Sequence, residues 1–277
     1  MKTVFLLLMM AGIVLANTDM APTIGVRPDG VDTSLLQIAS IDVETVAGNA
    51  YSVGCGFDGT YLWVTNGAGQ AGQPTGVFLL FEEDGTYFAS YNQNTAPGWG
   101  LRDLTCDGTY MYGSVTTAID YYDIGTHLKV GSFVGPQNPN RALAYDGTYF
   151  YTGNFGSEVY RLTWNGVSGS TATSTVWSTA ATSVYGAAWD ELNNCMWVTS
   201  ADASGTVAEI NASGSLVQNH VLVAGGTYGG ACMGTGTTDA TSTLWILNQA
   251  TPDTLLGFEV TPTALTRDTW GAIKAVF

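Results

Sequence analysis

The sequence is poor in charge, and above all in positive charge. Only 11% of its 277 residues are charged, and eight lysines and arginines stand against 23 acidic residues, for a formal net charge of −15. So few cations cannot form the basic stripe that a nucleic-acid backbone requires. The same deficit argues against binding to an anionic membrane surface. We therefore expect neither nucleic acid nor a membrane surface among the partners.

Histidine and metal-binding motifs are also scarce. The chain has two histidines, His127 and His220, far apart in sequence. It contains no Cys-x-x-C spacing suited to zinc, no phosphate-binding loop, no HExxH motif and no EF-hand spacing. A Ser-His-Asp triad or a metal triad therefore has no obvious place to assemble. The sequence predicts no metal, no cofactor, no catalytic residues and hence no enzyme.

Long hydrophobic runs are limited to the N-terminus. Val4 to Leu15 is an apolar run of twelve residues preceded by Lys2, and small residues at Val14 and Ala16 fit a signal-peptidase site. Twelve residues are too few to span a bilayer as a helix. The pattern predicts a signal peptide over 1–16, a lead-in over 17–34, and a secreted or periplasmic protein with no membrane insertion once the leader is removed.

Glycine and a repeated turn dominate the rest of the chain. There are 35 glycines, and the phrase Asp-Gly-Thr-Tyr begins at Asp58, Asp84, Asp107 and Asp146, with a degenerate copy at Asp190. Asp-Gly between two alternating apolar runs predicts a β-hairpin with a type I′ turn. Leaving out the Asp84 copy, the turns recur every 39 to 49 residues. Since four strand-like runs fill each period, the repeat predicts an all-β β-propeller.

The number of blades follows from the ends of the pattern. The fifth unit lacks a fourth strand, and Leu35 to Val43 contains an Ala-Ser-Ile phrase like those of the other outer strands. An N-terminal strand that completes the last blade closes a five-bladed ring over 35–260 and protects sheet edges. A sixth blade built from 23–50 and 261–277 is the alternative. The tail 261–277 is expected to close the ring or to form a short docking or export segment.

Two phrases carry a resemblance to known families. Pro97-Gly-Trp-Gly-Leu101 and the Gly54 to Val64 segment are similar to secreted bacterial propeller repeats of the Gly-Leu-Ala-Tyr-Asp-Gly-Thr-Tyr-Leu-Trp-Val type. The resemblance implies a binding scaffold without shared catalytic residues. Gly98 to Leu101 also resembles a Glu-Gly-Trp-Gly-Leu motif of five-bladed glutaminyl cyclases, but Pro97 occupies the glutamate position. The expected function is therefore a non-catalytic module for protein–protein or cell-surface interactions; a carbohydrate-binding, lectin-like propeller is the alternative, with a glutaminyl cyclase or glycosidase less favoured.

Aligned blades separate packing residues from candidate ligand contacts. Two columns are expected to pack between blades: Trp63, Trp197 and Trp245 on second strands, and Phe57, Cys106, Tyr145, Trp189 and Cys232 before the first turn. The cysteines Cys55, Cys106, Cys195 and Cys232 allow three disulfide pairings or free buried thiols. Spacing does not decide among these states.

The face opposite the Asp-Gly turns is predicted to bind the ligand. Its loops are rich in Asn, Gln and Gly, which suits a peptide or a neutral polyol, although the same residues are also good turn formers. Two arginines at equivalent positions of neighbouring blades provide a clamp for a carboxylate or phosphate, unless Arg102 only neutralises the adjacent acid. The ligand is expected to be a protein or a glycan. The candidate ligand-binding residues are Trp99, Arg102, Asp103, Asn140, Arg141, Tyr185 and Tyr228.

Overall fold

The protein is a five-bladed β-propeller, as the repeat predicts. The computed structural model describes residues 35–96, 98–223 and 226–261. In these ranges five four-stranded antiparallel sheets form the blades, and helix is confined to α1 (Val43–Ala47) and one 3₁₀ turn (Ala68–Ala71). No helix of the described residues is long and apolar enough to cross a membrane. The predicted leader, the lead-in and tail residues 262–277 lie outside the described ranges.

Each blade uses consecutive strands, from the inner strand at the axis to the outer edge. Blade 1 contains β2 (Ser52–Phe57), β3 (Leu62–Asn66), β4 (Val77–Phe81) and β5 (Tyr87–Asn92). Blade 2 contains β6 (Leu104–Cys106), β7 (Tyr110–Ser114), β8 (Ala118–Asp123) and β9 (Lys129–Val134). Blade 3 contains β10 (Ala142–Tyr145), β11 (Phe150–Gly153), β12 (Val159–Thr163) and β13 (Thr173–Ser178). Blade 4 contains β14 (Val184–Asp190), β15 (Cys195–Ser200), β16 (Thr206–Asn211) and β17 (Leu216–Val221).

The last blade is closed by the N-terminal strand. It contains β18 (Tyr228–Thr235), β19 (Ser242–Asn248), β20 (Thr254–Val260) and, at the outer edge, β1 (Leu36–Asp42), which pairs antiparallel with β20. Ile41 of β1 lies opposite Leu255 and is buried in an apolar cluster shared with blade 1. The predicted closure is confirmed. The six-bladed alternative is wrong, because residues 36–47 are used by β1 and α1.

The repeated aspartate does more than favour a turn. In blade 1 the Asp58 carboxylate accepts the backbone N–H groups of Thr60 and Tyr61, and its second oxygen accepts the indole N–H of Trp63 at 2.7 Å. Asp107 and Asp146 repeat this arrangement with tyrosine hydroxyl groups, and Asp190 with the Trp197 indole N–H. The same hydrogen bonds, repeated in four blades, therefore connect each turn to the packing residue on the second strand.

The predicted turn type and one column assignment are corrected. Only the glycine has positive φ, for example 92° at Gly59, so the turns lack the two positive-φ positions that a type I′ turn requires. Strand register pairs Gly56 with Trp63 and Cys232 with Trp245. Met233, and not Cys232, is thus the blade 5 equivalent of Phe57. The four cysteines are free thiols, so none of the three pairings is present.

Asp253 links the closing blade to blade 1. It lies before β20 and is buried, its carboxylate accepts the Ser52 N–H at 3.0 Å, and its own N–H donates to Glu44 at 2.8 Å. Burial raises the pKa of Asp253 from the ordinary 3.8 to about 6; the Ser52 N–H opposes this rise and the Glu44 charge adds to it. The folded protein therefore binds this proton more tightly than the unfolded chain.

We predict a pH-dependent loss of stability from this group. Because the pKa of Asp253 is higher in the folded state than in the unfolded chain, the stabilisation from its protonated carboxyl group is fully present below about pH 4. This stabilisation is lost as pH rises through about 6. A pKa shift of this size corresponds to about 3 kcal/mol of unfolding free energy. Asp253→Asn keeps an acceptor for Ser52 without a charge, so its stability relative to wild type should rise by about 2–3 kcal/mol from pH 4 to pH 7 in urea unfolding.

The matched control is Asp84→Asn. The Asp84 carboxylate is fully exposed, and the N–H and hydroxyl of Thr86 lower its pKa instead of raising it. Its substitution should therefore not reproduce the gain. Equal pH profiles for wild type and Asp253→Asn would show that the Asp253 carboxyl has no raised pKa.

Candidate functional site

The upper mouth of the central channel gathers the polar residues of the inner strands. We call the upper face the one that carries the loops leading into inner strands and joining second to third strands. Strand register makes Val53, Arg102, Arg141, Tyr185 and Gly229 equivalent positions of the five blades. Blades 2, 3 and 4 therefore direct two arginines and a tyrosine to one place, where the sequence predicts an arginine pair.

Aromatic rings frame the two guanidinium groups. The Arg141 Cζ atom lies 3.8 Å from the ring centroid of Phe155 and 5.1 Å from that of Tyr185. The Arg102 Cζ atom lies 5.7 Å from the Trp99 ring, which in turn packs edge-on against Tyr51. Stacking of this kind holds a guanidinium in place while leaving its edge free for an anion.

The mouth is cationic although the protein is strongly acidic. The ion pairs within the described ranges are Lys129–Asp120 and His220–Glu209, and neither includes an arginine of the mouth. Burial lowers the pKa of Arg102, and the charge of Arg141 lowers it further. Burial raises the pKa of the Tyr185 hydroxyl, while both arginines oppose that rise. Guanidinium groups stay protonated in proteins, and the raised pKa keeps the Tyr185 phenol protonated at neutral pH; the site therefore presents two positive charges and a neutral hydroxyl group.

Buried polar atoms without a partner also cluster on this face. Among the described residues they include the Nε atoms of Arg102 and Arg141. They also include the Oδ1 atoms of three equivalent residues at the ends of second strands, Asn66, Asn154 and Asn248. An unsatisfied buried polar group costs about 1–3 kcal/mol. These atoms are covered by the surrounding protein, so they mark a concentration of unpaired polar groups beneath the upper face.

Phe155 adds backbone strain to the site. Its φ is 45°, which is unusual for a large side chain, and half of its surface is exposed while the ring covers Arg141. Such outliers cost of order 1–3 kcal/mol and cluster at functional sites. The predicted site residues did not include Phe155, Tyr51 or Gln249, whose side-chain amide donates to the Ser52 carbonyl oxygen at 2.9 Å. Phe155 and Gln249 directly follow the orphaned Asn154 and Asn248, a positional signal that the sequence did contain.

Three of the predicted ligand-binding residues have polar atoms that form hydrogen bonds within the fold. The Asp103 carboxylate is fully buried and accepts backbone N–H groups of Leu143 and Ala187 at 2.9 Å and of Ala231 at 3.1 Å. Burial raises its pKa, and these N–H groups oppose the rise. Asn140 is buried and joins the loops of blades 2 and 3, and the buried Tyr228 hydroxyl accepts the Val223 N–H. Trp99, Arg102, Arg141 and Tyr185 remain at the mouth.

The opposite end of the channel is chemically different. A cavity of about 110 Å³ opens there among the inner-strand ends, and its lining includes Phe57, Cys106, Tyr145, Trp189 and Met233. These are the packing residues before the Asp-Gly turns, and the lining contains no charged side chain. Its lining includes the hydroxyl groups of Thr105 and Tyr145 but no guanidinium or carboxylate, so the upper mouth is the better candidate site for a substrate that gains charge.

Comparisons with known proteins identify the fold class. No family model and no curated protein match the sequence. In structure the chain is similar to Myxococcus xanthus glutaminyl cyclase, with a TM-score of 0.59 and 11% identity, over 82% of this chain and 97% of that one. A chain of the mitotic checkpoint complex matches with a TM-score of 0.42 and 15% identity, over 74% of this chain and 75% of that one. The second likeness carries no argument.

The expectation of a non-catalytic binding module is corrected by this comparison. One solved structure of similar fold, the Myxococcus xanthus glutaminyl cyclase, is an enzyme. A scaffold function was inferred from the resemblance to propeller repeats, and the structural likeness gives it no support. At 11% identity the likeness shows the fold alone. The chemistry therefore has to be argued from the residues at the mouth.

Proposed function

We propose that the upper mouth is the substrate site of an enzyme that acts on a small amide-bearing compound, with the N-terminal glutaminyl residue of a peptide as the candidate substrate. The observation that carries this proposal is the convergence of Arg102 and Arg141, two guanidinium groups with orphaned Nε atoms and no acidic partner among the ion pairs of the described residues. The fold likeness to a glutaminyl cyclase selects the candidate substrate.

The polar groups of the mouth match the parts of such a substrate. Guanidinium N–H groups are suited to a carboxamide oxygen, especially one that gains negative charge. The Oδ1 atoms of Asn154 and Asn248 are covered in this structure, and a rotation of either side chain would let it accept N–H groups from an amine or a peptide bond. The rings of Trp99 and Phe155, both partly exposed, offer apolar contact to the carbon chain. The site therefore provides complementary groups for both ends of the reacting unit.

Cyclisation requires charge stabilisation and a proton transfer. The α-amine attacks the γ-carboxamide carbon, a new C–N bond forms, and the old C–N bond breaks with release of ammonia. Arg102 and Arg141 would stabilise the oxyanion of the tetrahedral intermediate. The amine loses a proton and the departing nitrogen gains one, and the protonated Tyr185 hydroxyl is the group at the mouth suited to relay it. Pro97 supplies no acid at the position where the cyclase motif has glutamate.

The test is ammonia release from a peptide with N-terminal glutamine, followed by mass spectrometry of the product. We expect wild type to form the cyclised peptide, and Arg141→Gln to reduce kcat/KM by about 10²–10³, as expected for loss of an oxyanion donor. The matched control is Arg161→Gln, because Arg161 also stacks on an aromatic ring, Tyr149, but is exposed on β12 of blade 3. No cyclised product from folded wild type, or equal losses in both variants, would contradict the proposal.

We also propose that the chain belongs to the secreted propeller repeats and is exported. The support is that the Asp-Gly-Thr-Tyr phrase closes the hairpin between the first and second strands in blades 1, 2 and 3. The apolar run before Asn17 fits a removable leader. N-terminal sequencing of the protein from a culture medium or periplasmic fraction should begin at Asn17. Retention of Met1 in that fraction would contradict export by this leader.

A further inference from the structure

One acidic residue occupies a position on the ring axis that is small in every other blade. Strand register places Asp103 at the level of Gly54, Ala142, Gly186 and Gly230. A Cβ atom at Gly54 would collide with the Asp103 backbone, and one at Gly230 would collide with its carboxylate. The glycines of neighbouring blades thus leave room for one carboxylate at the centre of the ring.

The carboxylate joins the strands that carry the site. It accepts N–H groups from Leu143, Ala187 and Ala231, which lie in the inner strands of blades 3, 4 and 5, and from Leu104 of its own blade. Leu143 and Ala187 lie two residues after Arg141 and Tyr185. Since the spacing along a strand is fixed, holding these N–H groups also fixes where the arginine and the tyrosine emerge.

A second path connects Asp103 to the arginine pair. The Asp103 N–H donates to the Ser114 hydroxyl at 3.1 Å, and this hydroxyl donates to the Arg141 carbonyl oxygen at 2.5 Å. Arg102 directly precedes Asp103 in sequence. The backbone positions of both arginines of the mouth therefore depend on the backbone position of one buried residue, Asp103.

We propose that Asp103 is the positioning residue of the upper mouth: its carboxyl oxygens accept backbone N–H groups of three other blades at the ring axis and so set the geometry of Arg102, Arg141 and Tyr185. The assignment of these residues as a substrate site rests on the proposed function, but the positioning itself does not. Convergent backbone N–H groups form an anion-binding arrangement. Removal of the side chain should leave a site that takes a small free carboxylate.

The test uses the full chain with Asp103→Gly and follows the side-chain Nε–H resonances of Arg102 and Arg141 by NMR. We expect both resonances to leave their wild-type positions, and added formate to return them, because formate supplies the missing carboxylate. Formamide, which has the same shape without the charge, should not. The control is Asp120→Gly, which removes another buried aspartate, paired with Lys129 away from the axis. Formate should have no effect there.

A second variant covers the case in which Asp103→Gly does not fold. Asp103→Asn keeps the shape but turns an amide group towards the N–H donors, so we expect a folded protein by circular dichroism with both arginine resonances displaced. Wild-type resonances in either variant without formate would overturn the proposal, as would formate binding that leaves them displaced. These readouts involve no turnover, so failure of the cyclase assay and failure of the positioning role are separate results.

Discussion

Substitution of Ile41 by aspartate is expected to cost about 4 kcal/mol or more of unfolding free energy, enough to unfold most of a marginally stable domain. Ile41 lies on the closing strand β1, is 7% exposed, and contacts the cluster that includes Leu255, Leu247 and Cys55. A charge at this position has no partner in an apolar cluster, so either the charge is buried or the strand detaches. Detachment would leave the edge of β20 unpaired and the ring open.

The matched control is Ile38→Asp on the same strand. Ile38 is 39% exposed, and substitutions at such surface positions usually change stability by about 0.5 kcal/mol or less. Urea unfolding monitored by tryptophan fluorescence should separate the two variants clearly. Equal effects on stability would show that β1 does not pack into the last blade, and the five-bladed closure would be wrong.

The second large effect is expected at the axis, where Gly230→Ala should destabilise the ring by about 3 kcal/mol or more. The added methyl group would meet the Asp103 carboxylate and lie 2.6 Å from the Gly54 Cα atom. Neither neighbour is the end of a flexible side chain with room to move, because the carboxylate is held by backbone N–H groups of three other strands and its own. The inner strands must therefore separate.

Gly156→Ala is the control for this substitution. A Cβ atom at Gly156 would find its nearest neighbour, the Asn154 carbonyl oxygen, at 3.6 Å, an ordinary contact distance. Its effect on the thermal midpoint should be small. If Gly230→Ala were equally well tolerated, the axis would have free space, and Asp103 would not fill it.

The blades were predictable because their signal is local. Each Asp-Gly-Thr hairpin is specified within about ten residues, and the Ala39-Ser40-Ile41 phrase was sufficient to identify the closing strand. The strand register in blade 5 could not be predicted in the same way, since the turn between β18 and β19 is longer and lacks the repeated phrase. This is why Cys232 was aligned where Met233 belongs.

The site was predictable only in part. Arg102, Arg141 and Tyr185 could be placed together because residues at equivalent positions of neighbouring blades lie side by side around the channel. No such rule reveals that N–H groups of three other blades converge on Asp103, or that Asn140 and Tyr228 use their polar atoms within loops. For Asp103 the partners that engage its carboxyl group lie 40 to 128 residues away in sequence.

The central claim is that the arginine pair at the upper mouth holds the substrate. It is tested most directly by a crystal structure of the wild-type protein with a peptide whose N-terminal residue is a non-cleavable glutamine analogue. The account predicts the side-chain carbonyl oxygen within hydrogen-bond distance of the guanidinium groups of Arg102 and Arg141. A peptide bound at the opposite mouth, or at the upper mouth without contact to either arginine, would contradict it.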